Sequence, residues 1–96
     1  MPDKLSDSDI ATRLAELEGW AIEDGKLRRE FKFANFVEAF GFMTRAAIEA
    51  EKMDHHPEWF NVWNKVVVDL TTHSTGGITD LDFELAGKMD SLAESE

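Results

Sequence analysis

All three histidines of the chain fall between positions 55 and 73, in the stretch EKMDHHPEWFNVWNKVVVDLTTHSTGG, and two of them are adjacent. Imidazole is the side chain whose ordinary pKa, roughly 6.5, lets it give and take protons near neutrality. The chemistry that such a cluster serves is proton transfer. Neighbours in an extended segment point to opposite sides, so His55 and His56 are expected to take different roles. His56 also precedes Pro57, which pushes it toward extended backbone and fixes its direction. Two carboxylates are spaced to tune the rings. Glu51 lies one helical turn before His55, and Asp82 lies in the first helical turn after the loop that carries His73. A carboxylate beside an imidazole favours imidazolium and holds the neutral ring in one tautomer. Each acid also has a plainer explanation: Asp82 completes a capping box with Thr79, and Glu51 can be a solvated helix residue.

Other chemistries fit these residues less well. Zinc is disfavoured because the chain has no cysteine and no HExxH pair, and adjacent histidines rarely meet one ion. Ser74 follows His73 directly, but nothing around it resembles the nucleophile elbow of a hydrolase. Gly76-Gly77 lacks the lysine and the spacing of a phosphate-cradling loop.

The histidines must be positioned by the elements around them. Ser6 with Asp9 opens helix one, Ile10, Leu14 and Leu17 recur along it, and Gly19 supplies a left-handed stop. Trp20–Ile22 and Leu27–Phe33 flank Asp24-Gly25, a hairpin turn pair. On the second strand Leu27, Phe31 and Phe33 share one side, while Arg28, Glu30 and Lys32 take the other. Asn35 caps helix two. Its apolar residues divide into a main stripe of Phe36, Phe40, Met43, Ala47 and Ala50, expected to face the sheet, and a second strip of Val37, Gly41, Thr44 and Ile48. Strands over 58–63 and 66–72 follow, joined at Asn64-Lys65. Thr79 and Asp82 then cap helix three, stapled by Ile78 and Phe83, with Leu81, Leu85, Met89 and Leu92 as its buried stripe. The order α-β-β-α-β-β-α predicts an α+β fold: one domain over 1–96, a four-stranded antiparallel sheet with three helices on one face.

At 96 residues, 43% hydrophobic, the chain is sized and composed for one core without staples. A net charge of -10 disfavours contact with nucleic acid. Its one basic cluster, Lys26, Arg28, Arg29 and Lys32, is broken by Glu30 and reads as a solvated strand face. No apolar run approaches the ~20 residues that span a bilayer, and MPDKLSDSD lacks the features of a secretory signal. With no cysteine, these features lead us to expect a soluble cytoplasmic protein that does not engage membranes. The acidic end, Ala93 to Glu96, is expected to fray.

The run EKMDHHPEWFNVWNKV, followed by TTH and by GGIT with Asp82 and Leu85-Ala86, resembles the pterin-4a-carbinolamine dehydratase family. Gly19-Trp20 and FVEAFGFMTRAAIEAEKMD resemble it as well, so the likeness runs from about Leu5 to Asp90. It implies the α-β-β-α-β-β-α fold and a dehydration that uses no cofactor and no metal. The substrate would be a tetrahydropterin with a hydroxyl on carbon 4a, left by aromatic amino acid hydroxylases, and the product a quinonoid dihydropterin. The family's active-site histidines map onto His55, His56 and His73. We expect His55 and His73 to be the proton-transfer pair, without assigning acid and base, and His56 to orient the pterin. Trp20 and Trp59 offer flat walls for the ring, with Glu51 and Asp82 beside it, and core packing accounts equally well for either tryptophan. Two residues depart from the family pattern: Trp63 stands where many relatives carry tyrosine, and Thr75 where some carry cysteine. The resemblance also implies a homodimer or homotetramer, an aromatic amino acid hydroxylase as a possible partner, and a second function class. Animal proteins resembling this one bind a homeodomain transcription factor through helix two.

Overall fold

The computed structural model describes residues 3–94. Its elements run α1 (Asp7–Leu14), β1 (Ala21–Glu23), β2 (Lys26–Lys32), α2 (Phe36–Met53), β3 (Glu58–Val62), β4 (Lys65–Leu70) and α3 (Asp80–Glu94). The four strands form one antiparallel sheet in the order β1-β2-β4-β3. The expected element order and fold class hold. Of the acidic end, Ala93 and Glu94 close α3, while Ser95 and Glu96 lie outside the described residues, as do Met1 and Pro2.

Local chemistry sets most element ends. The Ser6 hydroxyl accepts the Asp9 backbone N–H, and the Asn35 side chain accepts that of Glu38. Asp24 and Gly25 both have positive φ, 52° and 76°, the backbone of a tight hairpin turn. Several boundaries differ from expectation. Helix one ends at Leu14, and Leu17 follows in turns. Trp20 precedes β1, and β4 stops at Leu70. The second hairpin turns at Trp63-Asn64 rather than Asn64-Lys65. There the Asn64 side-chain amide donates to the Phe33 carbonyl, and the Asn64 backbone carbonyl accepts the Phe33 N–H. These two bonds pin the turn to β2.

The core lies between the sheet and the helices. Leu27, Phe31, Val66, Val68 and Leu70 point from the sheet toward Phe42, Leu85, Ala86 and Met89 of the helices. The expected face of α2 is corrected. Its buried residues are Ala39, Phe42, Ala46 and Ala50, whereas Phe36 and Phe40 are 50% and 54% exposed. The helix buries small residues in the core and inserts one large ring toward the sheet, Phe42, whose centroid lies 4.8 Å from that of Phe31 and 5.0 Å from that of Phe33. Phe36 and Phe40 instead join Val37 and Ile48 on the outward side.

Candidate active site

Three chain segments meet at one end of the sheet: the end of α2, the end of β4 and the start of α3. Asp54 closes α2 in the left-handed region, φ 51° and ψ 43°, and its turn delivers His55 and His56 toward β3. The pairing Glu58↔Asp69, continued back along β3, sets His55 opposite Thr72. The loop after Thr72 is closed by its own backbone, the Thr72 N–H donating to the Gly77 carbonyl at 2.9 Å. Gly76 takes φ 71° inside it, and the Thr75 hydroxyl donates to the Thr72 carbonyl. Thr75 therefore serves the loop's own geometry.

His55 is only 7% exposed, and its Nε2 lies 2.6 Å from Oδ1 of Asp82, which is fully buried. The other carboxylate oxygen, Oδ2, accepts the Thr79 backbone N–H at 2.9 Å and the Thr72 hydroxyl at 3.0 Å. These contacts fix the protons. A carboxylate only accepts, so His55 carries its hydrogen on Nε2 and Thr72 donates to Asp82. Thr72 has then spent its only hydrogen. The 2.7 Å contact between the Thr72 and Thr79 hydroxyls must be donated by Thr79, which in turn accepts the Leu81 N–H. The order is thus Leu81 N–H to Thr79, Thr79 to Thr72, and Thr72 to Asp82, with His55 donating from the opposite side. A neutral His55 so held has Nδ1 as its acceptor. The two explanations of Asp82 both hold: it completes the capping box of α3 and holds the buried imidazole.

The other two histidines are exposed and each has its own carboxylate. His56 Nε2 lies 2.8 Å from Glu51 Oε1, across the α2 terminus. His73 Nε2 lies 2.7 Å from Glu58 Oε2, and the Lys26 ammonium donates to Glu58 Oε1 at 2.6 Å. Lys26 first, then His73, hold the Glu58 carboxyl below the usual carboxylate range. Hydrogen bonding to Glu58 likewise raises the Lys26 ammonium above its ordinary value. Glu58 was not singled out in the sequence, although it is the E of HHPEW. Its significance depends on strand order, because Lys26 on β2 reaches it across β4. Among the described residues, no three histidine, aspartate or glutamate side chains group so as to hold a metal ion.

The two tryptophans part company. Trp59 is half-buried, pairs with Val68 and packs on the core one residue beyond Glu58. Trp20 is not brought to the histidines. It lies beside the opposite edge strand, buried against Phe31, with its indole N–H shared between the two Asp90 oxygens at 2.9 and 3.0 Å. The expectation that it walls the ring gives way to a core role, because a buried indole N–H requires the partner that Asp90 supplies. A cleft of about 570 Å³ on that side, lined by Gly19, Arg29, Phe33 and Asp90 among others, contains none of the histidines. Trp63 stands at the other end of β3 from the site, exposed at the hairpin turn with φ 48°.

Known proteins resemble this chain over nearly its whole length. Residues 3–92 match the family model described as pterin 4 alpha carbinolamine dehydratase. A relative from Solibacter usitatus that bears the pterin-4-alpha-carbinolamine dehydratase name is 59% identical over 93 residues, covering 97% of this chain and 98% of its own. One of the same name from Paraburkholderia xenovorans is 52% identical, covering 96% of this chain and 98% of its own. The crystal structure of a transcriptional coactivator/pterin dehydratase from Brucella melitensis superposes with a TM-score of 0.92 at 49% identity, covering 95% of this chain and 99% of that one. The chain belongs to the pterin 4-alpha-carbinolamine dehydratase family, a family of hydro-lyases.

Proposed function

We propose that the chain dehydrates a 4a-hydroxytetrahydropterin to a quinonoid dihydropterin and water. The observation that carries this reading is the buried His55–Asp82 pair with its fixed proton order, in a chain of this family. Hydroxide is a poor leaving group, so one protonated imidazole gives its proton to the departing 4a oxygen as the carbon–oxygen bond breaks. A second, neutral imidazole takes the ring-nitrogen proton as the carbon–nitrogen double bond forms. The sum is one water released and no net change in the protons held by the two rings. Such positioned groups contribute roughly 10²–10⁴-fold each. His55, held by Asp82, and His73, held by Glu58, are the pair in this reading. His56 orients the pterin, with Glu51 directing its ring, and Trp59 borders the substrate. No cofactor takes part. A substrate of this kind is what aromatic amino acid hydroxylases leave behind, so the reaction serves the return of their cofactor. The test is direct: freshly generated 4a-hydroxytetrahydropterin should lose water measurably faster with the protein than without it. Equal rates would refute the proposal.

A second reading, a protein contact through α2, is supported by the exposure of Phe36, Val37, Phe40 and Ile48 along its outward side. A monomer rarely leaves so contiguous an apolar strip in water. We propose that it is a contact between copies of this chain, in a dimer or a tetramer. Light scattering at micromolar protein tests it, and a strict monomer would overturn it.

A further inference from the structure

The third histidine is held by an arrangement that the motif alone does not contain. The Glu58 carboxylate divides its two oxygens, Oε2 to His73 at 2.7 Å and Oε1 to Lys26 at 2.6 Å. Lys26 belongs to β2, Glu58 to β3 and His73 to the loop after β4, so three non-adjacent segments converge on one carboxyl group. The convergence lies on the sheet face away from the helices, which carries Glu58, Asp69 and Arg28 in one cross-strand row. We infer that Glu58 is the positioning residue of His73, and that Lys26 clamps Glu58 in the orientation this requires.

The chemistry follows from the divided carboxylate. An acceptor on Nε2 keeps the hydrogen of neutral His73 on that nitrogen and leaves Nδ1 as the acceptor. Without Lys26, the Glu58 side chain is free to swing, because an exposed ion pair alone holds a long side chain weakly. The clamp supplies a second anchor on the other oxygen. The charged groups facing this site are accounted for. Lys26 also feels Asp69 and Asp24, and Arg28 lies 3.9 Å from Asp69 on the same face. Asp69 and Asp24 are thus engaged with the two cations, and Glu58 is the carboxylate bonded to His73. The parallel with the buried site is instructive. His55 and His73 each present Nε2 to a carboxylate whose second oxygen is occupied by another donor, threonine in one case and lysine in the other.

This inference rests on the proposed dehydration for its bearing on turnover, but its central measurement does not. The experiment is a nitrogen NMR measurement of the histidine ring tautomers at alkaline pH in the wild type and in Glu58→Gln, paired with a carbon NMR titration of the Glu58 carboxyl in the wild type and in Lys26→Met, and with kcat and KM. The wild-type His73 ring should carry its hydrogen on Nε2. In Glu58→Gln the amide oxygen stays on the Lys26 ammonium and its NH₂ faces the ring, so the hydrogen should move to Nδ1. In Lys26→Met the Glu58 midpoint should rise toward the ordinary carboxylate range. In Glu58→Gln kcat should fall about tenfold or more while KM changes little. An unchanged His73 tautomer in folded Glu58→Gln overturns the positioning role. An unmoved Glu58 midpoint in Lys26→Met overturns the clamp. A changed tautomer with an unchanged kcat overturns the role in turnover. A wild type with no dehydratase activity would refute the proposed function instead, and would leave the tautomer result standing.

Discussion

Replacing Asp82 by asparagine isolates what the buried carboxylate does, because size and shape are kept while one acceptor becomes a donor. Asp82 takes three hydrogen bonds, one on Oδ1 from His55 and two on Oδ2 from Thr72 and the Thr79 N–H. The asparagine oxygen will stay where two donors converge, so its NH₂ must face His55. Two donors cannot meet, and the ring must move its hydrogen to Nδ1 to accept on Nε2. That is the wrong tautomer for proton transfer through Nδ1. The corresponding carboxylate-to-amide change in serine proteases lowers kcat roughly 10⁴-fold. With His73 still in place, we expect Asp82→Asn to lower kcat by ~10²-fold or more. The stability cost follows from trading charge-assisted bonds, worth about 1.5–3 kcal/mol, for neutral ones of about 0.5–1.5, a loss of about 1–1.5 kcal/mol at each bond so traded. Asp82→Ala strips all three partners, and at about 1–3 kcal/mol for each buried group left alone it should cost at least about 3 kcal/mol. Dehydration kinetics and urea denaturation of both variants read these effects. A folded Asp82→Asn protein with near wild-type kcat would refute the reasoning.

Further outcomes are expected of the same assays. His55→Ala and His73→Ala should each lower kcat at least ~10²-fold, whereas His56→Ala should chiefly raise KM. Near wild-type turnover in both of the first two would remove the proton-transfer pair. Activity should survive exhaustive dialysis against a chelator, and a loss restored by zinc would overturn the metal-free mechanism. Because Glu58 is depressed in the folded protein, its contribution to stability is present above its unfolded pKa and is lost as pH falls through the folded value. Lys26→Met should therefore flatten the acid limb of a stability–pH curve measured by urea denaturation, and an unchanged limb would count against the pair. Ile48→Glu should split a tetramer built through α2, since burying an unpaired charge costs several kcal/mol, and light scattering would show an unaltered mass if that contact were misassigned.

Capping and turn chemistry made much of this fold legible in the sequence. Ser6, Asn35, Asp24-Gly25 and the Thr79/Asp82 pair act within a few residues of themselves, and each does in the structure what its type and spacing imply. The α2 face was misread for a physical reason. Apolar residues lie on more than one side of that helix, so periodicity favoured the bulky Phe36 and Phe40, whereas the buried face is built on Ala39, Phe42 and Ala46 and shares only Ala50 with the expected stripe. Among the candidate site residues, the histidines were marked by type, and Asp82 and Glu51 by spacing. Glu58 was hidden because its partners come from β2 and from the loop after β4, and only the order β1-β2-β4-β3 brings them together. Trp20 could not be decided from sequence for a related reason: aromatic bulk serves a ring-binding wall and a core equally, and its bond to Asp90 comes from α3.

The cap of α3 has a consequence for how this chain can change over time. One Asp82 oxygen begins the helix and the other holds the imidazole, so winding the first turn of α3 and fixing the His55 ring are one event. Fraying at that terminus would release the ring, and with it the proton transfer we propose, while the rest of the domain stayed folded, and exchange of the Thr79 and Leu81 amides would report on it. Ordinary routes to a sturdier helix start, such as a different capping residue, are therefore closed here unless the new side chain reproduces the donor order. On the proposed mechanism, stability and activity depend on one carboxylate, and at this terminus selection acts on both together.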